Sequence, residues 1–526
     1  MTNPIRTRFA PAPTGFLHVG SARTALFNWL FARNCGGEMW LRIEDTNAAL
    51  KAQAYVDAII EPLRWLGIDW DSGPHFQSDR LQEYEAAIER LITSGHAYYC
   101  NLTAEEVKQK AESSGLPPGY HGWSRNRSIE DGPGVVVRFR SPDSGTTTVN
   151  DLIRGQVHFK NETLEDFVIR RGNGSPTFHL ANAVDDHDMG ISHVIRGEDL
   201  LNTTPRVLLI WEALKYGKPA TYAHLPLLVN SKRQKLSKRR DDVALNEYRE
   251  RGFLPEALVN YLALLGWGPT DGVEIRPLEE IIRLFDLTTV KPGSAFFDRN
   301  KLAHFNATYI RSLNPEELAE RAEPFLTSGK DRTTDDSGDS RQKNTTQNTD
   351  TQDRRRNTDY RNTRVASNST SPTCKVKSAA AGNVVTTLAA DIQQRVTTLS
   401  EVPNWVQWIL EDTITYDGKA WQKVMLKGHL VVEVLTEVAT RISEDSFTSP
   451  ERIESIVMGV GDELTKRSGV RVLSQAPVRV AVTGTNVGLP LWKPLELLGK
   501  DKTLARLSLA IERLRNSNTS NKKSRE

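Results

Sequence analysis

The stretch Arg8-Phe-Ala-Pro-Ala-Pro-Thr-Gly-Phe-Leu-His-Val-Gly-Ser-Ala-Arg-Thr-Ala-Leu-Phe27 confines the start of this chain to one kind of fold. Residues 6–10 have the pattern of a buried strand, which two prolines and a glycine then break. From Ala22 to Asn34, the residues Ala22, Ala25, Leu26, Trp29 and Leu30 fall on one helical face. Met39 to Ile43 alternates as a second strand and ends in Glu44-Asp45. Strand, helix and strand at this spacing make a β-α-β unit, which requires a parallel sheet and puts ligands beyond the carboxyl ends of its strands. The turn at 11–20 sits at such an end and opens a helix. The first N–H groups of a helix lack partners and carry partial positive charge, so this is a natural seat for phosphate. A Walker loop would follow Gly20 with lysine and then serine or threonine, but here Ser21-Ala22 follow. The cation that neutralises phosphate must come from elsewhere in the chain.

At 526 residues the chain exceeds what one core can hold. Residues 76–176 are irregular and rich in Gly, Pro and Arg, with short β runs such as 135–139, and read as an insertion between two halves of the parallel fold. The parallel pattern returns at 193–199 and 222–229. After Asp241 the chain reads as helical, with Pro255 in the first turn of one helix and Gly266 closing it. Residues 329–378 are Asp, Arg, Thr, Asn, Ser and Gln with almost no aliphatic side chains. Such a segment buries too little apolar surface to offset its ordering entropy, so a disordered insert is expected, the alternative being a basic arm that uses Arg354, Arg355 and Arg356. Helical periodicity resumes at Ala379 and runs to Leu514, with Trp405, Trp408, Trp421 and Trp492 as expected core anchors.

Three widely spaced cysteines, Cys35, Cys100 and Cys374, fit a reducing compartment rather than a disulfide framework. The first residues lack the apolar stretch of a secretion signal, and no run approaches the ~20 apolar residues that span a bilayer, so a cytoplasmic protein without membrane contact is expected. A formal net charge of +2 is neutral on nucleic acid, which needs a local basic face and not a basic total.

The absent lysine has a candidate at Ser231-Lys-Arg-Gln-Lys-Leu-Ser-Lys-Arg-Arg-Asp-Asp242, where six of the nine residues from 232 to 240 are Lys or Arg and a strand precedes them. A basic run alone is equally a solvated loop, and a Pro-Thr-Gly turn before His is by itself only a turn. Taken together they carry a resemblance. Pro11-Ala-Pro-Thr-Gly-Phe-Leu-His-Val-Gly-Ser21 resembles the HIGH motif of class I aminoacyl-tRNA synthetases, and Lys235-Leu-Ser-Lys-Arg239 resembles their KMSKS motif. Arg42-Ile-Glu-Asp-Thr46, His179-Leu-Ala-Asn-Ala-Val-Asp-Asp186 and Val194-Ile-Arg-Gly-Glu-Asp199 are similar to the glutamyl-tRNA synthetase family in particular, of the bacterial type. The similarity runs closely over residues 1–325, and 477–484 with 495–500 resemble that family's helical anticodon-binding domain.

The resemblance implies an α/β fold: a Rossmann-type parallel-sheet catalytic domain with an α+β insertion, followed by helical stem-contact and anticodon-binding domains. Its segments are the catalytic halves at 1–75 and 177–240, an acceptor-end-binding insertion at 76–176, a stem-contact region at 241–328, the insert at 329–378 and the anticodon-binding domain at 379–526. It implies an ATP-dependent ligase that forms glutamyl adenylate and passes glutamate to the 3′-terminal adenosine of tRNA(Glu), with tRNA(Gln) an open alternative, acting as a monomer. His18, Gly20, Lys235 and Lys238 are the implied catalytic residues. Pro11, Thr14, Gly15 and Ser237 join His18, Gly20 and Lys238 around ATP. Arg8 and Arg196 are suited to forked carboxylate recognition and Glu44 to the ammonium of glutamate, with Ala12 and Phe178 beside them. Mg²⁺ would arrive with ATP, for which the sequence offers no dedicated cage.

Two positions depart from the family: Ala12 stands where many members have serine, and Phe178 where many have tyrosine. Some members hold zinc in the insertion, but Cys100 with the loosely spaced His96 and His121 does not make a four-ligand site, and no zinc is expected. Competing readings are a glutamate-activating relative that modifies tRNA, which would lack the helical region after 379, and a tRNA-binding paralogue impaired in catalysis by the two departures. Deleting residues 331–374 is expected to leave the melting temperature and aminoacylation nearly unchanged, because long polar inserts add little closure entropy. A fall in tRNA affinity, steepest at low salt, would instead assign its arginines to phosphate contacts.

Overall fold

A computed structural model describes residues 4–46, 53–236, 244–327 and 372–523. The chain forms two compact units, Met1–Tyr309 and Ile310–Glu526. In the first, β1 (Arg6–Phe9), α1 (Val19–Asn34), β2 (Glu38–Ile43), α2 (Gln53–Trp65) and β3 (Ser72–Phe76) build a parallel sheet in the order β1-β2-β3. After α3 (Leu81–Thr93) the chain leaves through β4 (Ala97–Cys100), α4 (Ala104–Ser113) and β5 (Val136–Phe139). The hairpin of β6 (Thr146–Asp151) and β7 (Gly155–Lys160) follows, and then β8 (Val168–Arg170). β4, β5 and β8 form their own antiparallel sheet. The β6–β7 hairpin lies elsewhere, because β6 pairs in parallel with β10.

The parallel fold resumes with α5 (Phe178–Asp188), β9 (His193–Gly197), α6 (Thr204–Ala213) and β10 (Thr221–Leu225), giving a second sheet ordered β7-β6-β10-β9. The two sheets meet edge to edge. Ser192 N–H donates to Arg6 O at 2.9 Å and Arg6 N–H to Ser192 Oγ at 2.8 Å, so β1 and β9 lie side by side at the base of the fold. Strand order reverses there, with β2 and β3 to one side and β9 and β10 to the other, which is where an open α/β fold leaves a crevice.

Helix α1 is wider in its contacts than the sequence pattern implies. Phe27, Asn28 and Ala32 are buried as well as Ala22, Ala25, Leu26, Trp29 and Leu30, because the helix is sandwiched between the sheet and later helices. Asn28 Nδ2 donates to Ile195 O at 2.9 Å on the sheet side, and Phe27 meets Phe285 edge-on at 5.1 Å on the other. These later elements are β11 (Leu228–Val229), α7 (Leu245–Glu250), α8 (Pro255–Ala263), α9 (Leu278–Leu284), β12 (Ala295–Phe296) and α10 (Arg299–Ser312). The strand expected at 222–229 is divided at Pro226 into β10 and β11, and β11 pairs with β12 in parallel. Proline at the start of α8 and Gly266 in the left-handed region just past its end bound that helix as its sequence indicates.

The second unit holds helices and no strand among its described residues, 310–327 and 372–523. Its core is chiefly aliphatic, with Val434, Leu435, Val438, Ile442, Val457 and Val460 fully enclosed. Of the four tryptophans expected as anchors only Trp421 is buried, while Trp408 and Trp492 pack against the core partly exposed and Trp405 stands half-buried. β-Branched and leucine side chains on neighbouring helices interdigitate without needing an indole to fill the space. Arg513 lies 4.4 Å over the Trp421 ring and 5.0 Å over that of Tyr416, capping the core edge with a cation. Among the described residues no helix is long and apolar enough to cross a membrane.

Candidate active site

A cavity of about 390 Å³ opens at the β1–β9 junction. Arg8, Pro11, Ala12, Thr14, Gly15, His18, Gly20, Glu44, Phe178, Arg196 and Lys235 all line it, drawn from a span of over two hundred residues. Ser237 and Lys238 lie outside the described residues. Cys100 is buried and accepts from Ser124 Oγ at 3.4 Å, while His96 contacts Ser94 and His121 contacts Pro117 O, so the three do not converge.

The turn from β1 into α1 passes through Gly15 at φ 132°, a conformation open to glycine and strained for other residues. His18 caps α1: its Nδ1 accepts from Gly20 N–H at 3.1 Å and Ser21 N–H at 3.2 Å. The helix N–H groups that the sequence suggests are open to phosphate are thus partly satisfied by His18 itself. Accepting twice at Nδ1 leaves the ring proton on Nε2, 3.0 Å from Ser21 Oγ. A Cβ on Gly20 would come to 3.0 Å from the ring, so glycine here serves the histidine's packing as much as any ligand's approach.

Behind the turn lies a buried ionic lattice. Asp186 on α5 accepts from Arg8 Nε at 3.1 Å and from Arg42 Nη1 at 2.7 Å, joining β1, β2 and α5. Arg42, wholly buried, also reaches Asn182 Oδ1 at 3.0 Å and Glu44 at 3.4 Å. Asn182 in turn donates to Glu44 Oε1 at 3.0 Å. Neighbouring Asp185 is occupied from outside by Arg80, Gln77 and Tyr84. Burial raises the proton affinity of Glu44 despite Arg42 and Arg8. At Asp186 burial pushes the same way, but Arg8 and Arg42 overcome it and hold the carboxyl below its ordinary range. Asn182 and Asp186 lie within the family-like stretch 179–186 but were assigned no role from the sequence; they stand four and eight residues after Phe178, on one face of α5. That spacing was the available signal.

Arg196 is in a different state. Among the described residues no carboxylate pairs with it; its Nε donates to His224 Nε2 at 3.2 Å and its Nη2 to Thr204 Oγ1 at 2.9 Å. Burial lowers its proton affinity below the usual arginine range. The wall of the chamber therefore sets Arg8, Arg42 and Arg196 against Glu44 and Asp186, one positive charge in excess. An amino acid with two carboxylates and one ammonium carries the complementary charge. Arg23, which also lines the cavity, is buried against the carbonyls of Pro226 and Leu265, and burial takes it down to about 10. Lys235 Nζ pairs with Asp199 Oδ2 at 3.1 Å across the mouth.

A parallel-sheet crevice lined by a histidine-capped turn and by Lys235 has the arrangement that the resemblance to class I synthetases implies. Residues 4–304 match the family described as tRNA synthetases class I (E and Q), catalytic domain, and residues 317–511 match the anticodon binding domain. The chain belongs to this family of class I tRNA synthetases. Its relatives narrow the family to one branch: the glutamate–tRNA ligase of Frankia casuarinae is 44% identical, covering 97% of this chain and 98% of its own length. That of Thermobifida fusca is 43% identical over 97% and 98%. A crystal structure of a glutamate tRNA ligase from Elizabethkingia meningosepticum, in complex with its amino acid, superposes with a TM-score of 0.76 at 28% identity, covering 97% of this chain and 100% of that one.

Removing the carboxylate that joins Arg8 to Arg42 leaves two buried cations without their shared anion. Asp186→Asn is expected to destabilise the first unit by about 3–5 kcal/mol at neutral pH. Because folding depresses the pKa of Asp186, its contribution is fully present above the unfolded-state value near 4 and is lost as pH falls through the folded-state value. Urea unfolding of both proteins from pH 7 to pH 3 should show the gap narrowing only below about pH 4. A gap independent of pH would mean that packing, not charge, sets the effect.

Proposed function

We propose that this crevice activates glutamate with ATP and transfers it to tRNA. The observation that carries the reading is that the His18 turn, Lys235, Glu44 and Arg196, which pairs with no carboxylate among the described residues, meet in one cavity. On this reading the α-carboxylate of glutamate attacks the α-phosphorus of ATP. The bond to the β-phosphate oxygen breaks, and glutamyl adenylate and pyrophosphate form. A ribose hydroxyl of the terminal tRNA adenosine then attacks the acyl carbonyl and AMP leaves. Neither step requires a covalent enzyme intermediate.

In the first step negative charge gathers on the α-phosphate and the departing pyrophosphate, and fixed cations stabilise it best when placed beforehand. Lys238 and Lys235 are assigned that task, while His18 and the backbone at Pro11, Thr14, Gly15, Gly20 and Ser237 hold the nucleotide. Mg²⁺ comes as part of the ATP complex. Arg8 and Arg196 take the carboxylates, each with an Nη1 that makes no hydrogen bond among the described residues. Glu44 takes the ammonium, whose arrival restores the charged carboxylate that burial disfavours.

ATP–pyrophosphate exchange driven by glutamate, with and without tRNA, tests the whole reading. Lys238→Ala should slow the exchange by roughly 10²- to 10³-fold, as the loss of one preorganised donor does, and change tRNA affinity far less. An unchanged exchange rate would remove Lys238 from the chemistry. Ala12 and Phe178 both line the cavity, so the double substitution Ala12→Ser with Phe178→Tyr returns two hydroxyls to it. At roughly 0.5 to 1.5 kcal/mol per net hydrogen bond, the KM for glutamate should fall by about 5- to 150-fold, with that for ATP nearly fixed. A rise in the glutamate KM would show a pocket rebuilt around apolar walls.

A further inference from the structure

Arg196 owes its position to a neighbour that does not touch the cavity. His224 sits opposite it in the β9–β10 register and is fully buried. Asp151, at the end of β6, fixes the ring: its Oδ2 accepts from His224 Nδ1 at 2.6 Å and from the His224 backbone N–H at 3.0 Å. Asp151 Oδ1 is in turn held by the N–H groups of Ile153 and Arg154. With its proton on Nδ1, the ring presents the Nε2 lone pair, which accepts from Arg196 Nε. The Tyr222 ring lies parallel to the imidazole at 5.9 Å, the Arg196 guanidinium stands 5.6 Å from the Tyr222 centroid, and Thr204 Oγ1 lies 3.1 Å from the same His224 Nε2.

We propose that His224, locked by Asp151, is a positioning residue that aims Arg196 while leaving its charge uncompensated for the substrate carboxylate. This rests on the assignment of Arg196 to glutamate. The comparison with Arg8 inside the same wall gives the reason. Arg8 is held by the carboxylate of Asp186, which directs the guanidinium and also cancels much of its field. A neutral imidazole directs equally well and cancels nothing, because it offers a lone pair without a charge. The negative charge that orders the ring sits on Asp151, one residue further from Arg196. The site thus combines one compensated and one uncompensated arginine, and the second supplies the attraction.

The test is steady-state aminoacylation by the full chain, with KM measured for glutamate and ATP in His224→Ala, His224→Gln, Arg196→Gln and the double variant His224→Ala with Arg196→Gln. His224→Ala should raise the glutamate KM about 10-fold, the loss of one charge-assisted contact, with the ATP KM within about twofold and kcat within about threefold. His224→Gln, whose carboxamide oxygen can accept from Arg196 Nε, should recover most of the loss. In the Arg196→Gln background the His224 effect should vanish, since contacting residues do not add. An unchanged glutamate KM in His224→Ala overturns the proposal. So does an equal rise for ATP, or a glutamine variant no better than alanine. If Arg196→Gln leaves the glutamate KM unchanged, the assignment of Arg196 itself fails and the proposal with it; if only the His224 variants are silent, that assignment stands and the proposal alone falls.

Discussion

Asp186 binds the catalytic unit together. One carboxylate, buried among the carboxyl ends of two strands, accepts from Arg8 on β1 and Arg42 on β2 while fixed to α5. Two guanidinium groups could not be carried into that interior alone, since an unpaired buried charge costs several kcal/mol. With Asp186 present they become struts. Arg42 then fixes Asn182 and Glu44, and the pocket floor acquires its shape before any ligand arrives. Preorganisation of this kind lets a site discriminate by charge, because little is left to reorganise on binding.

The same lattice explains how the two arginines of the pocket divide their work. Arg8 shares an anion and, on the proposed reading, serves structure and recognition together. Among the described residues Arg196 has only neutral acceptors, in His224, Thr204 and the Leu200 carbonyl, so no paired carboxylate cancels its field in a desolvated place, where Coulomb attraction is strongest. Burial disfavours that charge, and an entering carboxylate relieves the penalty. Glu44 faces the mirror-image situation and is relieved by an ammonium. Each ionisation that burial disfavours in this wall therefore matches one charged group of an acidic amino acid.

Much of this was legible in the sequence because the informative residues are local. The Pro-Thr-Gly turn, the strand–helix–strand order and the basic run are short-range patterns; with the other family-like stretches they carry the resemblance that implied eleven of the cavity residues. What they missed depends on contacts between distant segments. Asp151 and His224 are 73 residues apart and meet only because β6 pairs with β10. The hairpin bearing Asp151 falls inside a stretch whose composition marks it as irregular, and no periodicity announces its partner. The cap on α1 is a different case: the sequence indicates open N–H groups, but a histidine at the N-cap position can fold back onto them, and only side-chain geometry shows that it does. The all-round burial of α1 escaped for a third reason, since a helix covered on both sides presents the same stripe on its sheet face as one covered on a single side.

The two lips of the crevice differ in firmness, and that difference follows from solvent exposure. The arginine lattice is buried and its members are held by several partners each. Lys235 is held at Asp199 by one pair in which both side chains are about half exposed, an arrangement worth at most about 1 kcal/mol. For a lysine assigned to polyphosphate, weakness in the resting contact is what the reaction needs. An entering triphosphate presents more negative charge than one carboxylate and draws the ammonium off Asp199 at little expense. A pair as strong as Arg42 with Asp186 would have kept the lysine from its substrate. The strand before this loop, β11, is anchored by parallel pairing to β12, and Lys235 itself bridges back to Val229, so the backbone at the loop's base is held independently of the lysine's ion pair. On the proposed reading, recognition of the amino acid thus rests on the rigid sheet, and charge for the departing pyrophosphate on a lysine whose resting contact is weak.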